Sequence, residues 1–162
     1  PPLFIQKLVL ARSAEEVRTL IKDGEDPNLK DKDGNTPLHH HASTLNDSAP
    51  EVVIALLNRS GGENAIMADP NIQNKRLQMA LHLAKKKEVV LAILEAGGDA
   101  FETVDEDGRT AYEAQTPEIR NYILDTTLFC GRFDVPSFRK ENPTMPEHAT
   151  ERRAALRFSK RV

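Results

Sequence analysis

The seven residues Asp26 to Lys32 (Asp-Pro-Asn-Leu-Lys-Asp-Lys) return 43 positions later as Asp69 to Lys75 (Asp-Pro-Asn-Ile-Gln-Asn-Lys), and the same offset carries Leu38-His39 onto Leu81-His82. A second series runs beside it: Glu15-x-Val17 with Leu20-Ile21, Glu51-Val52-Val53 with Leu56-Leu57, Glu88-Val89-Val90 with Ile93-Leu94, and Glu118-Ile119 with Ile123-Leu124. Four copies of one helix are therefore written into the chain. A unit that repeats at such a period cannot bury its apolar face alone. It stacks on its neighbours, which constrains the fold to a solenoid before composition is considered.

Each copy sets apolar residues at helical spacing behind a leading glutamate, the charge favoured at the positive end of a helix dipole. Gly24, Gly61-Gly62 and Gly97-Gly98 follow the first three copies, where glycine supplies the left-handed conformation that ends a helix. Ahead of the second, third and fourth copies lies a shorter helical segment introduced by a polar turn: Asp31 to His39, Asn74 to His82 and Asp105 to Tyr112. Asp33-Gly34 and Asp107-Gly108 read as tight turns, and Thr36-Pro37 and Thr110 as helix N-caps. The unit is turn, helix, turn, helix, which predicts an all-α chain.

Asp31-x-Asp33-Gly34-x-Thr36-Pro37-Leu38-His39 resembles the opening of an ankyrin repeat almost letter for letter. The third copy has Leu77 where that family prefers glycine and Met79-Ala80 in place of Thr-Pro, the fourth keeps Gly108 and Thr110, and the first lacks the opening, as a capping repeat does. The leading glutamates stand 36, 37 and 30 residues apart, against about 33 in the family. Extra residues between Ala42 and Glu51 and between Gly62 and Asp69 lengthen surface loops at small entropic cost. The resemblance implies an ankyrin-repeat solenoid of helix–turn–helix units over 1–127, with repeats near 3–30, 31–73, 74–104 and 105–127, and an extension over 128–162. It also implies that His39 and His82 hydrogen-bond between neighbouring turns, and that His41, standing where the family has a small Ala, perturbs packing or opens a pocket.

By the same resemblance the chain is a non-catalytic adaptor or inhibitor that takes a protein partner on its concave face. The contacts it implies are the turn tips Lys32, Asp33 and Asn35, then Lys75, Arg76 and Gln78, then Glu106, Asp107 and Arg109, with Ser43, Thr44 and Lys86 further along. About a third of such residues carry most of the energy. The tips run mixed, then basic, then acidic with one Arg, a pattern that steers a complementary partner mainly through association rate. A pathogen effector acting in a host cell is one version of this reading. The competing one makes the repeats the substrate-recruiting part of a larger enzyme.

The motifs that invite other chemistry each have a plainer explanation. His39-His40-His41 suggests a metal, but successive helical residues point about 100° apart and helical zinc ligands need i, i+4 spacing. Cys130, the only cysteine, has no neighbouring base to make it a nucleophile. A lone cysteine forms no internal disulfide and fits a reducing cytoplasmic or nucleocytoplasmic setting. Glu15, Glu51, Glu88 and Glu118 are helix starters rather than paired acid–base carboxylates. No catalytic residue, metal or cofactor is expected. No apolar run approaches the roughly 18 residues of a membrane span. Residues 1–130 carry 14 Lys and Arg against 21 Asp and Glu, which makes the body a poor nucleic-acid binder on electrostatic grounds, and no nucleic acid is expected as a partner. Lys85-Lys86-Lys87 reads as a solvated loop at the concave rim.

Residues 131–162 reverse the balance, with 8 Lys and Arg against 4 Asp and Glu. Pro136, Pro143 and Pro146 with Phe129, Phe133 and Phe138 predict an extended strap whose aromatics cover the end of the stack. Thr144 to Phe158 reads as a basic helix with a thin apolar stripe. The whole chain is expected to be a monomer.

Overall fold

The computed structural model describes residues 7–58 and 63–129, and the readings placed on Gly61-Gly62, Cys130, the strap and the basic helix lie outside these residues. Among the described residues eight helices follow in order: α1 (Lys7–Leu10), α2 (Ala14–Lys22), α3 (Pro37–Ala42), α4 (Ala49–Leu57), α5 (Ala80–Leu83), α6 (Lys87–Glu95), α7 (Ala111–Ala114) and α8 (Pro117–Phe129). They form four pairs. The short odd-numbered helices line up α1–α3–α5–α7 as an inner layer, and the longer even-numbered ones line up α2–α4–α6–α8 as an outer layer. Among the described residues there is no strand, only one isolated bridge between Val104 and Thr110.

The leading glutamates stand in the first turns of α2, α4, α6 and α8 as expected. Ser13 caps α2 by accepting from Glu16 N–H at 3.2 Å. The other end of α2 is closed by Gly24 at φ +98°, with Gly24 N–H donating to Ile21 O and Glu25 N–H to Leu20 O. Gly97 and Gly98 repeat the same pair of bonds onto Leu94 O and Ile93 O at the end of α6, the two-bond closure that suits glycine in the left-handed region. The core lies between the layers. Leu8, Leu38 and Leu81 of the inner helices meet Val17, Leu56, Val89, Ile93 and Ile123 of the outer ones, all essentially without solvent contact.

The first repeat is more complete than its sequence suggests. Residues Lys7–Leu10 form an inner helix of a single turn, too short to be stable alone. Burial of Leu8 holds it, a contribution of about 2 kcal/mol.

Candidate functional site

Three turn tips project from the inner edge, and each is built by one Asx side chain. Asp31 Oδ1 accepts from the N–H groups of Asp33 and Asn35, both at 2.9 Å. Asn74 Oδ1 does the same for Arg76 and Gln78, and Asp105 Oδ1 for Asp107 and Arg109. The first residue of each tip then donates its own N–H to the carbonyl of the fifth, at 2.9 Å in all three. Successive tips are joined by backbone bonds, Lys75 N–H to Asp33 O and Glu106 N–H to Arg76 O, each at 3.0 Å. The tips thus form a ladder along one edge.

The fourth position of each tip is left-handed: Gly34 at φ +78°, Leu77 at +59° and Gly108 at +75°. At Gly34 a Cβ would also meet Lys75 N at 2.9 Å, so both conformation and space require glycine. Leu77 carries a full side chain in a backbone region that costs a non-glycine residue about 1–2 kcal/mol, and 48% of it is exposed to solvent.

The stack is tied together beneath the tips by histidines. His39 Nδ1 accepts from Thr36 N–H at 3.1 Å, and its Nε2–H donates to Gln78 O of the next tip at 2.9 Å. His82 repeats this with Met79 N–H and Arg109 O. Both bonds need the neutral ring with its proton on Nε2. Burial, the largest cause, pushes both histidines below their ordinary value despite the carbonyl partner that favours charge. The expected inter-turn role of His39 and His82 is what the geometry shows. Asn28 and Asn71 provide a second tie, each donating its side-chain amide to a carbonyl in the next repeat (Met67 and Gly97) and accepting an N–H from it (Asp69 and Asp99). In the fourth repeat Glu113 replaces the histidine and accepts from Thr110 N–H at 2.9 Å and from the Thr110 hydroxyl at 3.2 Å.

His41 ties in the opposite direction. Its Nε2–H donates to Leu8 O of α1 at 2.7 Å, while Gln115, at the same repeat position, donates to Leu81 O of α5 at 2.6 Å. Helices of one turn cannot satisfy their own final carbonyls, and the larger residue in place of Ala supplies the donor from the next repeat. Burial lowers the pKa of His41 as well. The three consecutive histidines diverge, with His39 bonded to Gln78, His41 to Leu8, and His40 Nε2 lying 2.7 Å from Asp31 Oδ2.

The tip residues singled out from the sequence occupy the ladder but differ in availability. Lys32, Asp33, Lys75, Arg76, Glu106, Asp107 and Arg109 are exposed, while Asn35 and Gln78 are half-buried. Asn35 Oδ1 accepts from Asn74 Nδ2 at 2.8 Å and so serves the joint between tips. Arg76 Nε pairs with Glu106 at 2.8 Å, and Arg109 pairs with Asp107 and Asp105. Lys32, Asp33 and Lys75 make no side-chain hydrogen bond or ion pair among the described residues.

Ser43 and Thr44 sit apart from the tips. Their hydroxyls cap α3 by donating to His40 O and His41 O, and Lys86 reaches Asp47 at 3.5 Å. Ser43 and Thr44 line a pocket of about 490 Å³ with Leu10, Arg12 and His41, at the inner end of the first two repeats. The pocket expected beside His41 is therefore present, and α1 supplies one wall. Leu10, 60% exposed, and Arg12 were not singled out in the sequence, because a four-residue helix leaves no periodic signal. The lysine run is split rather than presented as a patch: Lys87 belongs to α6, pairs with Glu118 at 2.8 Å and stands 5.9 Å from the Tyr122 ring centre.

A helical solenoid with laddered tips and histidine joints defines a class of repeat proteins whose exposed inner edge serves recognition. The family model of ankyrin repeats in three copies matches residues 7–100, and the chain belongs to the ankyrin-repeat family. As such it is a protein–protein interaction module. The α7–α8 pair lies beyond the matched range. No curated protein matches the sequence. No helix among the described residues is long and apolar enough to cross a membrane.

Proposed function

We propose that the chain is a non-catalytic adaptor or inhibitor that grips a protein partner along the ladder from Lys32 to Arg109, with Leu77 as the apolar anchor. The observation that carries this reading is the left-handed, half-exposed Leu77 at the central tip. Strain of this kind persists only where the surroundings enforce it, and a half-exposed Leu recovers only part of its burial energy in the free protein. A glycine, as in the tips on either side, would relieve it. The benefit of the side chain therefore lies in the bound state.

The flanking chemistry fits an anchor with a polar rim. Among the described residues Lys75 and Lys32 offer unpaired ammonium groups and Asp33 an unpaired carboxylate, so the partner surface carries carboxylates opposite the lysines and a cation opposite Asp33, around an apolar socket. Arg76 and Arg109 are already paired and contribute shape more than charge. Ser43, Thr44 and Lys86 belong to a secondary contact at the inner pocket, where Leu10 is the exposed apolar element. Residues 1–127 form the repeat domain in this reading and 128–162 its extension.

The test is capture of partners from lysate by the full chain and by Leu77→Gly, quantified by mass spectrometry. Leu77→Gly is expected to lose at least one specifically retained protein while folding normally. Identical retention by both proteins would overturn the anchor assignment.

A further inference from the structure

The outer layer carries an apolar surface that the ladder does not use. Between α4 and α6 lies a groove of about 470 Å³ with Leu57, Ala68 and Ala92 at its base and Ile54 and Met67 on its walls. Ile54 and Met67 are close to half exposed, and Ile66 beside them is 58% exposed. The loop that brings Ile66 and Met67 here is part of the extra length between Gly62 and Asp69. It is not loosely held. Ala68 N–H donates to Leu56 O at 2.9 Å, Asp69 N–H to Asn28 Oδ1 at 2.7 Å, and Met67 O accepts from Asn28 Nδ2 at 3.0 Å. A pinned loop that displays two large apolar side chains beside a groove marks a contact surface.

The rim indicates the charge of what fits. Asp69 and Glu95 line the groove, and among the described residues no Lys or Arg does. Glu95 makes no ion pair among the described residues. The occupant should therefore be basic and carry large apolar side chains. Residues 131–162 hold twice as many Lys and Arg as Asp and Glu, together with Phe133, Phe138 and Phe158.

Reach and demand point the same way. The chain leaves the described fold from α8, which packs directly on α6 in the same outer layer. Adjacent packed helices lie about 8–10 Å apart, and an extended residue covers about 3.3 Å, so the groove is within reach of a few residues beyond α8. Tethering raises the local concentration of such a segment to about the millimolar range, enough to fill a shallow site. In the last repeat no large hydrophobic among residues 111–126 is exposed.

We propose that the groove between α4 and α6 receives the basic, phenylalanine-bearing segment 131–162 of the same chain. The docked segment covers Ile54, Ile66 and Met67, places its cations against Asp69 and Glu95, and leaves the tip ladder open.

The experiment uses the full chain with Cys130→Ser and Ser137→Cys, a nitroxide on the new thiol beside Phe138, and methyl NMR signals of Ile54, Leu57, Met67 and Ala92. Loss of these signals, restored when the nitroxide is reduced, is the expected result. Adding Ile54→Glu and Met67→Glu, both at exposed positions, should bring back the Leu57 and Ala92 signals without chemical reduction. Intact signals in the singly labelled chain overturn the proposal. So does signal loss equal in a mixture of nitroxide-bearing unlabelled chains and isotope-labelled unmodified chains, because the occupant would then be a second copy.

Discussion

The tip at 31–35 and the tip at 74–78 share their backbone bonds, and of the four positions at which their residues differ, the fourth of the tip is the one where backbone conformation decides. Gly34 sits in the left-handed region without strain and admits the next tip against its missing Cβ, whereas Leu77 occupies the same region at a cost and shows its side chain to solvent. The comparison separates two kinds of repeat residue. Where the pattern is kept, the residue serves the stack. Where it is broken against local energetics and the side chain is left half exposed, the residue serves something outside the molecule. Met79 illustrates the contrast, since it also departs from the second repeat's Thr36 but is wholly buried, so its substitution is repaid by packing.

The widest test of the shared part of the pattern is acid. The folded-state values of His39, His41 and His82 all lie below the ordinary 6.5, so the unfolded chain binds protons first as pH falls. Stability from these joints is complete above about pH 6.5 and is lost as pH drops through the lowered folded values. Asp31, Asp99 and Asp105, where bonds to the carboxylate outweigh burial, add a further loss below their ordinary 3.8. Urea midpoints should hold between pH 7.5 and about pH 6.5 and fall from there to pH 5, and a flat profile would mean the joints do not hold neutral rings.

Single joints should follow in size. His39→Ala removes a buried ring with two backbone partners and is expected to cost about 3 kcal/mol, read from chemical denaturation. Next, Gly34→Ala should cost about 2–3 kcal/mol, because left-handed strain adds to a backbone clash, whereas Gly108→Ala, with open space around it, should cost about 1 kcal/mol. Equal costs at the two glycines would remove the ladder contact from the account.

Much of this was legible in the chain before its structure. Leading glutamates, glycine caps, Thr N-caps and forward-reaching histidines are local features, and each leaves a residue type at a fixed offset. The unread parts depend on atoms far apart in sequence. His41 was visible as an oversized residue, but its partner, the carbonyl of Leu8, lies 33 positions away and in a helix of one turn. Leu77 was visible as a missing glycine, but its departure from the repeat carries a meaning only once its φ of +59° and its exposure are known. Asn35 was grouped with the recognition residues and turns out to bond to Asn74, a contact that no spacing rule announces. The groove beside Met67 needs two helices and a loop at once.

Leu77→Gly carries the central claim, because its structural and functional consequences have opposite signs. The account predicts a protein more stable by about 1 kcal/mol and weaker in partner capture than the parent. A variant that gains stability and keeps every partner, or that loses stability, would contradict it.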